Sequence, residues 1–319
     1  GYFSCRDENG NFSYDNYSKR AQYENVKMIE IKFSQGAKPG HGGILPKEKV
    51  TDEIAAIRLV GRGHDIISPP THSAFKTPLE LMDFIKVLRR GSGGKPIGIK
   101  ICIGNKSEFI AICKAMVQTE TYLDFITVDG GEGGTGAAPQ EYSDHVGMPL
   151  RDALAFVYDC LKGFGIKDQI KIICSGKIIT GFDIIKTLST GADLCNSARG
   201  MMFALGCIQA LECHANTCPT GVATQDPRLV KGLVPQEKSI RVARFQHETV
   251  KSAMELMASA GISHPDDVDR HVVSMRVDRT KIQTFAETYP ELESGCLLDQ
   301  NAIPETFLHH WKKASAESF

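Results

Sequence analysis

The chain has 319 residues, 42% hydrophobic and 24% charged, enough for one large α/β unit with a substantial core. Lys and Arg number 37 against 38 Asp and Glu, a net charge of -1, so no basic excess argues for nucleic acid or an anionic membrane surface. No apolar run approaches the length that spans a bilayer, and the N-terminal segment has neither the charged nor the apolar region of a signal peptide.

The first residue is Gly1, not Met, so the chain is either processed or part of a longer one. The ten cysteines are scattered through strand-like and helix-like segments rather than set in a dense framework. That usage suits a reducing compartment and predicts a cytoplasmic protein.

Residues 5–25 are polar and aromatic without a clear period, a surface loop or short helix. Met28 to Phe33 alternates weakly as a strand and runs into a loop with Gly36, Gly40, Gly42 and Gly43, which can take positive φ at several points. Val50 to Val60 predicts a helix, and Asp65-Ile-Ile67 a short strand stopped by Pro69-Pro70. Thr77-Pro-Leu-Glu80 opens a helix with an N-cap, a proline at the first position and a capping-box acid. Ile97 to Ile103 is a strand interrupted by Lys100, and Glu108 to Val117 a helix. Leu123 to Val128 is a strand entering the glycine-rich segment 129–139, followed by a helix from Leu150 to Leu161. A strand at 170–174, a helix at 181–188 and a strand at 192–196 come next. A long helix over 235–260 places Val250, Ala253, Met254, Met257 and Ala258 on one face; beyond Asp278 the pattern is weak.

Strand–helix alternation, repeated six times between residues 28 and 205, implies parallel βαβ units. Glycines and polar residues gather just after the strands, where a (β/α)8 barrel builds its active site. A doubly wound open sheet is the competing fold, but no G-x-G-x-x-G follows the first strand. The expected architecture is therefore a TIM-type (β/α)8 barrel. Six strands cannot close it, so its first two would lie upstream of Gly1.

Several constellations carry chemistry. Cys207, Cys213 and Cys218 are spaced C-x5-C-x4-C, with Pro219 behind, and thiolates this close can converge on one iron–sulfur cluster. Three ligands suggest a three-iron cluster or a four-iron one with an open corner; the competing reading is three buried cysteines acting as small apolar side chains. Ser175-Gly176-Lys177 and Asn196-Ser197-Ala-Arg199-Gly200 follow the last two strands, where a barrel holds phosphate with backbone N–H groups. Each alone reads first as an ordinary turn; together, beside the cysteine loop, they favour a phosphate-bearing cofactor. Lys100 needs a partner if buried, and a cofactor's electron-rich ring is one. Lys32, Gln35, Lys38 and Lys49 surround the first glycine-rich loop and could clamp a dicarboxylate, although single lysines are commonly solvated surface. Glu132 could position or deprotonate an amine, or serve as a turn residue; His41 and His214 are assigned no role.

Gln35-Gly-Ala-Lys-Pro-Gly-His-Gly-Gly43, Ile67-Ser-Pro-Pro70, Gly133-Gly-Thr-Gly-Ala-Ala-Pro139 and Cys207 to Gln225 stand in an order that resembles the FMN-binding synthase domain of glutamate synthase. The likeness is strongest to the short, stand-alone FMN-binding proteins of that family. It covers residues 1–275 and leaves 276–319 as a C-terminal extension. The resemblance implies a barrel that binds FMN and a 3Fe–4S cluster and reduces 2-iminoglutarate, formed from 2-oxoglutarate and ammonia, to L-glutamate. By position it assigns Cys207, Cys213 and Cys218 to the cluster and Lys32, Gln35, Lys38 and Lys49 to the 2-oxoglutarate end. It sets Lys100, Gly176, Lys177 and residues 196–200 beside the flavin ring and phosphate. It also implies a separate electron donor, ferredoxin or an NADPH-dependent protein.

The chain departs from the family in lacking the glutaminase, in carrying Glu132 where the large synthases have aspartate, and in Asn196-Ser-Ala-Arg199 where they have a glycine-rich turn. The first barrel strands are absent as well, which puts activity of the chain on its own in question. Two other readings are a flavin oxidoreductase for another 2-oxo or 2-hydroxy acid, and a non-catalytic electron-transfer module.

Overall fold

In the computed structural model of the chain, which describes residues 2–134 and 138–319, the apolar runs settle into one parallel sheet. Ser13 caps a first helix, α1 (Tyr14–Ala21), and β1 (Ile29–Lys32) follows. The glycine-rich loop leads to β2 (Ile44–Leu45), α2 (Asp52–Arg58) and β3 (Ile66–Ile67). Here the structure corrects the sequence reading: β3 pairs antiparallel with β2 in a separate two-stranded ribbon and is no strand of the main sheet. Two residues ahead of Ser68 and Pro69-Pro70 leave too short a run to join the main sheet.

The next helix starts as its sequence dictates. In α3 (Pro78–Gly91) the Thr77 hydroxyl accepts from the Glu80 N–H at 3.1 Å, and Pro78 takes the first turn. The Glu80 carboxylate reaches one residue further back than a capping box would, to the Lys76 N–H at 2.6 Å. β4 (Ile97–Ile101), α4 (Lys106–Thr119), β5 (Phe125–Asp129), α5 (Leu150–Gly163), β6 (Lys171–Ser175), α6 (Gly181–Thr190), β7 (Leu194–Asn196) and α7 (Arg199–Leu205) then alternate.

The main sheet has the order β1-β4-β5-β6-β7, every pair parallel. Each strand lies beside the next member of the series, with no reversal of the kind that marks a doubly wound sheet. The crossover helices α3, α4, α5 and α6 pack each against the next, as the outer ring of a (β/α)8 barrel does. The fold is thus barrel-type α/β, with five parallel strands in the main sheet among the described residues rather than the six expected.

Alternation along the strands separates two faces. Ile31, Ile97, Ile99, Ile101, Ile126, Val128, Ile172 and Cys174 are buried in the core beneath the helices. Glu30, Lys32, Lys100, Thr127, Asp129, Ser175 and Asn196 take the alternate positions on the inner face. The Thr127 hydroxyl donates to Glu30 at 2.6 Å, bridging over β4. Gly98 makes room there, because a Cβ on it would meet the Phe125 ring.

After α7 come α8 (Pro227–Val230) and the long α9 (Pro235–Ser259), which packs on α6 and α7. Only part of the expected apolar face of α9 is covered: Ala253 and Met257 are buried, whereas Val250 and Met254 are 39% and 62% exposed. The tail that looked weakly patterned is folded. β8 (Ser274–Arg276) and β9 (Ile282–Thr284) form a hairpin, and α10 (Phe285–Thr288) and α11 (Glu305–Lys313) follow. Leu297, Phe307, Ala314 and Ala316 join the main core, so the boundary expected at 275 falls inside β8. Among the described residues no helix is long and apolar enough to cross a membrane.

Candidate functional site at the strand ends

The C-terminal ends of the parallel strands carry the polar array. Lys32 and Lys100 occupy the same register on neighbouring β1 and β4. Lys100 Nζ lies 3.3 Å from the Asp129 carboxylate, which ends β5 and is almost fully buried. The same Asp129 oxygen accepts from the Gly36 N–H at 2.9 Å. One acid therefore fixes both the β4 lysine and the loop after β1. That loop lies hard against the next one, for a Cβ on Gly36 would collide with the Gly130 carbonyl. Asp129 was not singled out from the sequence; the available signal was an acid closing an apolar strand just before Gly130-Gly131.

Lys32, Gln35 and Lys38 gather in this loop as expected. Lys32 Nζ donates to Gln35 Oε1 at 2.7 Å, which turns the Gln35 amide N–H groups away from Lys32. Burial, then the neighbouring charges of Lys100 and Lys38, lower the Lys32 pKa below its ordinary value. Lys38 is buried, and burial lowers it too. Lys32 and Gln35 line a cavity of about 750 Å³ along the β1 edge of the sheet, with Gly42 and His72 on its wall.

Two expected members sit elsewhere. Lys49 donates to the backbone carbonyls of Cys213 and Ala223, the latter at 3.3 Å, and so ties the cysteine loop to the turn before α2. Glu132 turns both carboxylate oxygens to the Leu150 N–H, at 3.1 and 2.9 Å, at the start of α5. An anion there complements the helix N-terminus. Thr135, Gly136 and Ala137 of the neighbouring motif lie outside the described residues.

The candidate phosphate loops are adjacent. Ser175 and Asn196 are register partners at the ends of β6 and β7. Ser197 Oγ donates to the Ile178 carbonyl at 2.8 Å, joining the two loops. Gly176 has φ +148, and Lys177 takes the left-handed φ of +50 on a solvent-exposed turn, where it pairs with Asp144 at 3.4 Å. Arg199 opens α7, and Gly200 is close-packed, since a Cβ on it would press on the Phe245 ring.

The cysteine loop departs from expectation. Among the described residues no group of three His, Cys, Asp or Glu side chains is arranged to hold a metal ion, so Cys207, Cys213 and Cys218 do not converge. Cys207 Sγ accepts from the Gln209 N–H at 3.4 Å, just past α7. The Cys213 carbonyl is held by Lys49. Cys218 is buried, 3.5 Å from the Thr220 hydroxyl, and hydrogen bonds from that hydroxyl and from backbone N–H groups of Thr220, Val222 and Ala223 outweigh burial and lower its thiol pKa. Those surroundings suit a thiolate at Cys218.

Known proteins resemble this chain. Residues 18–263 match the conserved region in glutamate synthase. The chain is 43% identical over 279 residues to the glutamate synthase large subunit-like protein YerD of Bacillus subtilis, covering 87% of this chain and 53% of that protein. It is 37% identical over 266 residues to the archaeal glutamate synthase [NADPH] of Methanocaldococcus jannaschii, covering 83% and 50%. It thus spans about half the length of these curated relatives. Among solved structures, a mandelate oxidase aligns with a TM-score of 0.44 at 13% identity, over 88% of this chain and 61% of that one. DHODH from Eimeria tenella aligns at 0.43 and 11%, over 81% and 57%. With a family region that takes in the strand ends, the loops at 175–177 and 196–200 and the cysteine loop, the chain belongs to the glutamate synthase family.

Proposed function

We propose that this chain is the flavin-binding part of an oxidoreductase of glutamate synthase type, which reduces 2-iminoglutarate, formed from 2-oxoglutarate and ammonia, to L-glutamate. The observation that carries the reading is the cationic array of Lys32, Lys38 and Lys100 at the strand ends, braced by Asp129 and Gln35. A dicarboxylate meets charge-assisted donors there: Lys32 and Lys38 for its carboxylates, with the Gln35 amide as a neutral donor beside them. Fixing both ends of a short diacid leaves its central carbon one orientation, which is how positioning lowers a barrier.

FMN fits the residues at the other end of the array. Loops 175–177 and 196–200 are braced together by Ser197, and Gly176 brings backbone N–H groups close without a side chain in the way. Arg199 would add charge to the phosphate, and Lys100 would face the ring. Bound there, the flavin supplies the hydride. The electrons come from a separate donor, a ferredoxin or an NADPH-dependent protein.

The 3Fe–4S cluster fits less well. The described residues offer no three-ligand set arranged to hold it, so no step of the proposed reaction runs through it. Glu132 is proposed to support α5, and Lys49 to hold the cysteine loop against the substrate loop.

Calorimetric titration with 2-oxoglutarate, and in parallel with its uncharged dimethyl ester, tests the substrate class. The diacid binds and the ester does not if the lysine array is a carboxylate clamp. Equal affinity for both overturns the assignment.

A further inference from the structure

On the helix-facing side of the sheet, one residue before Ser175 and Asn196, Cys174 of β6 and Cys195 of β7 are register partners. Their sulfurs lie 3.6 Å apart, and Cys195 Sγ is also 3.2 Å from the Thr187 hydroxyl of α6. Adjacent strands run about 4.8 Å apart, within the roughly 4.4–6.8 Å between Cα atoms that a disulfide bridges. Side-chain rotation can therefore close the sulfurs to about 2.05 Å with little backbone movement.

The two thiols are unequal. Cys174 is fully buried, and its S–H donates to Cys195, which holds its own pKa well above the ordinary value. Cys195 is part-exposed on the last strand of the sheet. The bond from Cys174, then the Thr187 hydroxyl, outweigh burial and lower its thiol. A part-exposed cysteine with a lowered thiol beside a second one is the arrangement of an attacking and a resolving cysteine. Cys113 and Cys160 contrast with it, both enclosed in the core with their thiols pushed up by burial.

The geometry points to Cys174 and Cys195 as a reversible dithiol–disulfide couple, oxidised by hydroperoxides, that staples β6 to β7. Cys195 sulfur attacks one peroxide oxygen and the O–O bond breaks. Cys195 becomes a sulfenic acid, and the departing hydroxide leaves as water with the thiol's proton. Cys174 sulfur then attacks Cys195 sulfur, the S–O bond breaks, and the hydroxyl leaves as a second water with the Cys174 proton. Two thiols lose two electrons, and one hydrogen peroxide becomes two waters. The inference rests on none of the flavin or substrate assignments.

Hydrogen peroxide added stoichiometrically to the 319-residue chain, followed by non-reducing tryptic mapping, tests it. The expected product links peptide 172–177 to peptide 187–199, and dithiothreitol releases it. Cys174→Ser leaves a Cys195 sulfenic acid that dimedone traps, and Cys195→Ser leaves Cys174 reduced. Should either variant fail to fold, the wild-type map decides alone. Oxidation of Cys195 straight to sulfinic acid, a link to any other cysteine, or two unreacted thiols while Cys207 oxidises each overturns the proposal.

Discussion

Asp129 on β5 holds two things at once: Lys100 Nζ at 3.3 Å and the Gly36 N–H at 2.9 Å. Its side chain is 6% exposed, against 25% for Lys100, so the pair is largely desolvated. Deleting one partner of such a pair costs roughly 3–5 kcal/mol, because the other charge is stranded. Asp129→Ala should lower unfolding stability by about that much. Lys100→Met added to it should restore part of the loss in a double-mutant cycle by urea unfolding, and simple additivity would show that the ions do not interact.

A second buried pair anchors the C-terminal segment. Arg270 is 2% exposed and donates to Asp159 of α5 at 2.8 Å and to the Tyr289 carbonyl at 2.5 Å. Arg270→Ala should cost roughly 3–5 kcal/mol, and limited proteolysis should then cut first within residues 271–300. Unchanged stability and cleavage would show that the hairpin and α10 are held by apolar contacts alone.

Much of this was legible in the sequence because local chemistry decided it. Thr77-Pro78 set the start of α3, apolar runs marked β4, β5 and β6, and Lys100 stood out as a cation that needed a partner. What stayed hidden depends on long-range placement. Asp65-Ile-Ile67 has a strand's composition, but its partner is the equally short Ile44-Leu45. Glu132 looked chemical among glycines, yet α5 begins within its reach. Lys49 finds carbonyls more than 160 residues away, a contact no local pattern records. The C-terminal tail has little period because it buries single residues such as Leu297 and Phe307 rather than a continuous face.

The lysine array sets a pH dependence. Folding lowers the pKa of Lys32, through burial and through Lys100 and Lys38, and burial lowers Lys38. Between the lowered folded values and the ordinary 10.5 the unfolded chain binds more protons, so these two groups make stability rise with pH in that window. Diacid affinity moves the opposite way, since the clamp loses charge as pH rises through the lowered values. Titrations with 2-oxoglutarate at increasing alkaline pH should show affinity failing below 10.5, and Lys32→Met should flatten that limb. A limb unchanged in Lys32→Met would assign it to another group.

Ser197 braces loops 175–177 and 196–200 through its bond to the Ile178 carbonyl at 2.8 Å. Ser197→Ala removes that brace and leaves the carbonyl to water, a loss of about 1 kcal/mol. FMN affinity should fall roughly fivefold, with 2-oxoglutarate affinity unchanged, both read by titration. Parallel losses in the two would mean a general loosening of the strand ends.

The central claim is that loops 175–177 and 196–200 anchor a phosphate-bearing flavin beside the lysine array. Fluorescence titration of the chain with FMN and, separately, with riboflavin tests it most directly, since the two differ only in the phosphate. FMN should bind with its fluorescence changed, riboflavin should bind far more weakly, and Arg199→Ala should narrow the gap. Equal affinity for the two, or no binding of either, would contradict it.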